Sequence, residues 1–403
     1  MAQLLIRAGS QDTALLRRVF GLDGGRGAAW RPDRLVVDAH VPGQTDDLAM
    51  LARRAGIPLL VDPQTYYLQD HQHPDDLWAR LPFAAAESLS AADLSVRHRQ
   101  DQLVADCVRY QISAGATAII PPYVHLEHAG DDYIAVQAAL WRRTAVYLSD
   151  QQIELPVVAV VALGWRLLDQ TIGKRALAPL WNALTALDPD EVAVAASKVH
   201  LGARPFDRLN ELVVLIQQLS RHYPVLAWQQ GLLGEACVAA GATGYETGIA
   251  RREHCDVPTS KSDRRAPYQP GPRSARPVYV RRLGRAIPKN TVRQLRKHRS
   301  LWVQVLCDEP RCCPAGDQVL GDARQHAIVS RARDLAELST VQRESWRWAR
   351  LADRSRAGLQ LASKINVLAG QTPTVSRINL GALTAIHVVA DRRRQQRKLS
   401  RAA

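Results

Sequence analysis

The stretch Gly56-Ile57-Pro58-Leu59-Leu60-Val61-Asp62-Pro63-Gln64-Thr65-Tyr66-Tyr67-Leu68-Gln69 reads as a buried strand that stops on a carboxylate. The apolar run from Pro58 to Val61 is short enough for a strand covered on both faces. Asp62-Pro63 ends it, because proline has no N–H to give to a sheet ladder. A carboxylate at the exit of a buried strand lies where parallel α/β folds place their chemistry.

The same pattern recurs outward from this stretch. Upstream, Arg34 to His40 is strand-like and Thr45 to Ala55 helix-like. Thr45 can cap that helix, Asp46 and Asp47 suit its first turn, and Gly56 ends it. Downstream, the spacing predicts helices over 101–114, 131–148, 171–187, 205–222 and 234–240. They alternate with strands over 117–123, 155–163, 191–197, 224–228 and 244–248. Residues 3–8 would supply an eighth strand. Strict alternation implies a parallel sheet, and about 250 residues of it imply an α/β fold of the (β/α)8, TIM-barrel type. The glycine-rich loop 21–27 is not followed by Gly-Lys-Ser/Thr, and no Gly-x-Gly-x-x-Gly follows an early strand. Phosphate-loop and dinucleotide-binding folds are therefore not indicated.

The chain of 403 residues is 46% hydrophobic, enough for a large core and a second, smaller unit. The barrel is expected over 1–256, with 277–285 a candidate to complete it. A basic linker or insertion rich in Pro, Ser, Arg and Lys follows at 257–276, and a basic, mostly helical C-terminal region at 286–403. No run of about 18 uncharged apolar residues occurs, so no membrane partner is expected. The start Met1 to Arg7 does not read as a secretory signal, and six cysteines without one point to a reducing cytoplasm.

The net charge of +14 is unevenly placed. From Arg251 onward there are 32 Lys and Arg against 12 Asp and Glu, a charge of +20, leaving −6 for residues 1–250. Such asymmetry points to a polyanionic partner, a nucleic acid, either tRNA or DNA. A homodimer is left open.

If the barrel closes, its strand exits converge on one mouth. They carry Asp38 and His40, Asp62 and Gln64, Tyr123 and His125, Ser197 and Lys198, Gln229, and Glu246. Asp62 and Glu246 are the pair expected to be catalytic, one shuttling protons and the other acting as nucleophile or charge stabiliser. Asp38, His40, Gln64, Tyr123, His125 and Gln229 are expected to bind substrate. Further on, Cys307-x4-Cys312-Cys313-x12-His326 gathers soft ligands in one short segment, which favours a structural Zn2+ site. Cys107, Cys237 and Cys255 read as packing residues.

On these residues the chain resembles the tRNA-guanine transglycosylase superfamily over roughly 34–330. In that family an apolar strand leads into Asp-Ser-Gly-Gly-Phe-Gln; here Pro58-Leu59-Leu60-Val61-Asp62-Pro63-Gln64-Thr65-Tyr66 fills a similar slot, without the glycines. The family's nucleophilic aspartate follows a glycine and an aromatic residue, and Gly244-Tyr245-Glu246 is similar with glutamate in its place. Its zinc pattern is Cys-x-Cys-x2-Cys and a distant histidine, against Cys307, Cys312, Cys313 and His326. The resemblance implies base exchange or N-glycosidic chemistry on a nucleic acid. Two other readings stand beside it: a non-catalytic nucleic-acid-binding protein on a barrel scaffold, and a metal-dependent hydrolase of a small molecule using Asp38, His40, His125 and Lys198.

Overall fold

In the computed structural model of the chain, residues 1–265 and 275–399 are described, without the side chains of 396–399. Eight parallel strands form one curled sheet: β1 (Gln3–Ala8), β2 (Arg34–Asp38), β3 (Leu59–Asp62), β4 (His125–Leu126), β5 (Val158–Gly164), β6 (Glu191–Ser197), β7 (Val225–Ala227) and β8 (Gly244–Gly248). The spatial order β3-β2-β1-β8-β7-β6-β5-β4 puts β1 against β8, so the N-terminal strand joins the two ends of the sequence run. Strand β3 meets the segment leading into β4 through one main-chain and one side-chain hydrogen bond. Thr117 N donates to Leu59 O at 2.9 Å, and Thr65 Oγ1 accepts from Tyr123 N at 2.6 Å. The architecture is a (β/α)8 barrel.

The helices between strands are α1 (Thr13–Phe20), α2 (Asp47–Ala55), α3 (Ala91–Ser95), α4 (Arg97–Ser113), α5 (Tyr133–Asp150), α6 (Ile172–Ala176), α7 (Ala178–Leu187), α8 (Pro205–Leu219) and α9 (Gly234–Ala239). Gly56 closes α2 at φ 64°, its N–H returning to Ala52 and Arg53, and hands the chain directly to β3. Gly234 lets α9 lie on β8, since a Cβ there would stand 2.3 Å from the Tyr245 ring. Two expected elements differ. The strand over 117–123 is reduced to one bridge, Ile119 with Val157, and regular pairing resumes only at β4, because Pro121 and Pro122 cannot donate to a ladder. The helix over 171–187 is broken at Leu177, where Pro179 sits at the start of α7 and has no N–H for the preceding turn.

After the barrel come α10 (Val257–Asp263), the antiparallel hairpin of β9 (Val278–Val280) and β10 (Arg285–Ile287), α11 (Lys289–Leu295), α12 (Arg299–Trp302), α13 (Ala323–Ser339), α14 (Glu344–Gln371) and α15 (Gly381–Leu399). The hairpin is a separate sheet, so residues 277–285 do not complete the barrel. The expected linker 257–276 begins as α10, and its residues 266–274 lie outside the described ones. Side chains of α13, α14 and α15, among them Ile328, Leu335, Trp348 and Ala385, join the barrel's own core. A second core under the hairpin unites Val278, Val292, Leu295, Cys313, Leu361 and Ile365. Among the described residues no helix is long and apolar enough to cross a membrane.

Candidate functional site

All strands point the same way, so residues at their C-terminal ends share one mouth. Arg7, near the end of β1, is the centre of that mouth. Its guanidinium bonds Asp38 from β2, Asp62 from β3 at 2.8 Å, and Glu246 from β8 at 3.0 Å. It also lies 5.5 Å from the centroid of the Trp228 ring. All four charged side chains are buried. Burial alone would drive the charge off Arg7, but Glu246, Asp62 and Asp38 hold its pKa well above the ordinary range.

The three carboxyls are not equivalent. Asp62 accepts four hydrogen bonds: Tyr123 Oη at 2.8 Å and Gln64 N at 3.1 Å on Oδ1, Arg7 at 2.8 Å and Trp228 Nε1 at 3.3 Å on Oδ2. Its acceptor capacity is filled. Burial would raise the Asp38 pKa, but Arg252 and Arg7, one on each oxygen, pull it well below the carboxylate range. Glu246 goes the other way. Burial raises its pKa, and the neighbouring Asp62 charge adds to this against the pull of Arg7. Its second oxygen accepts only Gln229 N at 2.8 Å and a long contact of 3.4 Å from Arg7. One carboxyl is thus held charged and another is biased toward keeping its proton.

The backbone around the mouth is strained. Gln64, Lys198 and Gln229, each just past a strand exit, have φ of 50°, 60° and 55°, and Ala250 and Arg252 after β8 have 57° and 53°. Each left-handed non-glycine residue costs on the order of 1 kcal/mol or more, and such strain persists where neighbours over-determine it. At Gln64 and Gln229 the conformation aims a main-chain N–H at a site carboxylate.

Residues 249–265 run across the mouth as a strap. Lys198 N donates to Cys255 O, and Val257 N to Ser197 Oγ. Arg252, Arg264 and Arg265 pair with Asp38, Asp76 and Asp70. Under this cover Asp62 and Glu246 are 0% and 1% exposed. A cleft of about 290 Å³ remains beside the strap, lined by Arg7, Asp38 and His40 but not by Asp62 or Glu246.

The structure therefore brings Asp38, His40, Asp62, Gln64, Tyr123, Gln229 and Glu246 to one end of the barrel, as expected. His40 is half-buried at the cleft, its Nδ1 without a hydrogen-bond partner, and burial lowers its pKa. His125 is buried beside Gln69 and Glu127, with Nε2 unpartnered. Burial, then Lys261 and Lys198, push its pKa down to about 3. The expectation that Asp38 and His40 hold a metal meets a different arrangement: both Asp38 oxygens are taken by arginines, and the mouth's cation is a guanidinium. Arg7 and Arg252 are the residues the sequence reading missed. The available signal was a lone arginine in the otherwise apolar strand Leu4-Leu5-Ile6-Arg7-Ala8.

A second cluster lies in the C-terminal region. One ligand atom from each of Cys307, Cys312, Cys313 and His326 falls within 4.8 Å of every other, so the group could hold a metal ion. The Cys312 and Cys313 sulfurs stand 3.8 Å apart, and 3.5 and 3.7 Å from His326 Nδ1. Bond lengths of about 2.3 Å to sulfur and 2.0–2.1 Å to nitrogen make the edges of a tetrahedron about 3.8 and 3.5 Å. The other ring nitrogen, Nε2, faces Tyr279 O at 2.9 Å, which leaves Nδ1 free to ligate. Adjacent Cys312 and Cys313 both reach the centre because their main-chain N–H groups converge on Glu309 O in one tight turn.

Much of the C-terminal positive charge is spent internally. Arg281, Arg333, Arg350 and Arg354 pair with Asp334, Glu337 and Glu235, and Arg331 with Glu253.

No protein-family model matches the chain, and no curated protein matches it. Among solved structures it is similar to "a putative phosphonomutase from Burkholderia cenocepacia J2315", at 13% identity over 65% of this chain and 90% of that one, with a TM-score of 0.34. The barrel assignment rests on the sheet itself. These findings overturn the resemblance to tRNA-guanine transglycosylases. The physical reason lies at Asp62: where that family has two glycines this chain has Gln64 and Thr65, Gln64 N turns back onto the carboxylate, and the four donors around it leave no acceptor for an incoming base.

Proposed function

We propose that the barrel mouth is the active site of an enzyme that acts on a small molecule by general acid–base catalysis, with Glu246 storing and returning the proton. The observation that supports this is the opposed setting of Glu246 and Asp38 around one buried guanidinium at the C-terminal end of the strands. Pairs of carboxyls with pKa values driven apart are how one site runs acid and base chemistry together. In this reading Asp62 is a positioning residue. It fixes Arg7, and Arg7 in turn orients Glu246. His40 faces substrate in the cleft, while the unpartnered Gln64 Oε1 and His125 Nε2 meet it once the strap lifts. Tyr123 and Gln229 hold the carboxylates.

The test is turnover against a panel of small molecules, followed by mass spectrometry, with the full chain and its Glu246→Gln variant. Loss of the proton-transfer group should lower kcat/KM by about 10²–10⁴-fold with the fold retained by circular dichroism. Full turnover by Glu246→Gln would reject the reading.

For the Cys307, Cys312, Cys313 and His326 group we propose zinc in a structural role. The donor set and tetrahedral edges suit that ion, and four protein ligands leave no open position for substrate. A nucleic-acid partner has one specific observation in its favour. Arg293, Arg296, Lys297 and Arg299, on or beside α11 and α12, are all exposed, and Arg296 lies over the Trp302 ring. Binding there would weaken steeply with salt and with Arg293 and Arg299 changed to alanine.

A further inference from the structure

The strap over the barrel mouth is rooted in the C-terminal region, beside the Cys/His cluster. Its residue Ala250 is buried in one small apolar cluster with Tyr279 of β9 and Ala327 of α13, and Ala286 of β10 packs against them. Ala327 follows His326 directly in the chain, and Tyr279 O lies 2.9 Å from His326 Nε2. A carbonyl oxygen only accepts, so Nε2 donates and Nδ1 turns its lone pair toward the sulfurs. The apolar seat of the strap is thus built from the two segments, β9 and α13, that meet at His326.

A second hold lies on the same helix. Glu253 of the strap is buried, pairs with Arg331 of α13, and accepts from Ala286 N at 3.0 Å. Its own carbonyl accepts from Leu232 N at 2.7 Å. Arg331 also donates to Gly231 O at 2.8 Å and lies 4.4 Å from the centroid of the Tyr279 ring. The strap is therefore fixed at Ala250 by packing and at Glu253 by a buried ion pair, and Tyr279 touches both fixings. The turn between them needs such support. Ala250 and Arg252 have φ of 57° and 53°, a backbone state that a non-glycine residue keeps only where its surroundings impose it.

We propose that metal binding at Cys307, Cys312, Cys313 and His326 locks the strap shut, so that the ion controls access to the barrel mouth. The inference rests on the zinc reading of that group. A bound ion fixes His326 through Nδ1, and with it the spacing between Tyr279 and Ala327 on which Ala250 sits. Loss of the ion leaves three thiols and an imidazole without the centre that draws them together. The hairpin and α13 are then free to shift, which loosens the Ala250 seat and the Arg331–Glu253 pair. The Arg7 frame below does not depend on the ion; only its cover does. Asp62 and Glu246 are sealed under the strap, so any molecule that reaches them must wait for it to open.

The test is hydrogen–deuterium exchange of the full chain, read by mass spectrometry with zinc bound and after chelation. Amides of 249–265 should exchange at least about tenfold faster without the ion, together with those of 307–326, and slow again when zinc is returned. Helix α5, on the barrel wall, should not change. Faster exchange in 307–326 with an unchanged strap overturns the proposal and leaves zinc a local staple. Equal acceleration in α5 marks general unfolding and overturns it too. If elemental analysis finds no zinc and chelation alters nothing, the zinc reading falls and this inference with it. Glu253→Gln probes the route from the other end: the strap should exchange faster while one zinc per chain is retained. A strap that stays slow in that variant would overturn the proposal.

Discussion

The barrel mouth and the C-terminal Cys/His cluster solve one problem differently. Each gathers side chains around one centre, the mouth from distant strands and the cluster from one short segment. At the mouth the centre is Arg7, part of the polypeptide, and three carboxylates close on it. In the cluster the chain supplies only donors, three thiols and an imidazole nitrogen at tetrahedral spacing, and the centre must come from outside. A covalently attached cation cannot be lost, so the mouth is assembled whenever the chain folds. A cluster that depends on an ion ties the loop 307–313 to α13 and the hairpin only when loaded. The mouth can therefore vary protonation at Glu246 without losing its frame, whereas an ion held by the cluster would act as a staple.

The comparison breaks most directly at Arg7. Arg7→Met leaves buried Asp62 and Glu246 without their cation and Asp38 with Arg252 alone, and should cost about 3–5 kcal/mol in urea unfolding; a cost near zero would mean the carboxylates are not held as described. Next is metal removal. Zinc at about 100 times its Kd adds about 2.7 kcal/mol, so chelation should lower the unfolding free energy by that amount. Elemental analysis should find one zinc per chain, absent in Cys313→Ser. If Arg7→Met also releases the metal, the two sites are not independent.

Protonation gives a smaller effect with a definite sign. Glu246 has a folded pKa above its ordinary 4.5. The folded state therefore binds more protons, and its contribution is present below pH 4.5 and lost as pH rises through the folded value. Asp38, depressed from 3.8, contributes stability that is lost as pH falls below that value. Each slope is at most about 1.4 kcal/mol per pH unit, and Glu246→Gln should abolish only the upper one. The smallest effect is expected from Trp228→Phe. It removes the longest of the four hydrogen bonds to Asp62 and should cost about 1 kcal/mol.

Period and punctuation carried most of the fold. Strands β3, β6 and β8 were legible because apolar runs end on turn residues, and α2 because Gly56 follows its last turn. The carboxylates at strand exits were legible for the same reason: direction and position along a parallel strand follow from the sequence pattern. Not legible was the short extent of β4, since Pro121-Pro122 breaks the ladder through a neighbour that sequence spacing does not reveal. The broken helix at Leu177 could have been read from Pro179.

The chain's sequence by itself determined the alternation of strands and helices, the polar exits, and the identity of the Cys and His donors. These depend on local propensity and on periods of two and 3.6 residues. Only the tertiary structure decided that Arg7 binds Asp38, Asp62 and Glu246 together, and that the strap seals the last two from water. Those are contacts between residues 31 to 239 positions apart and charge balances within a few ångströms. Such energies depend on distance and burial, which a linear sequence does not contain.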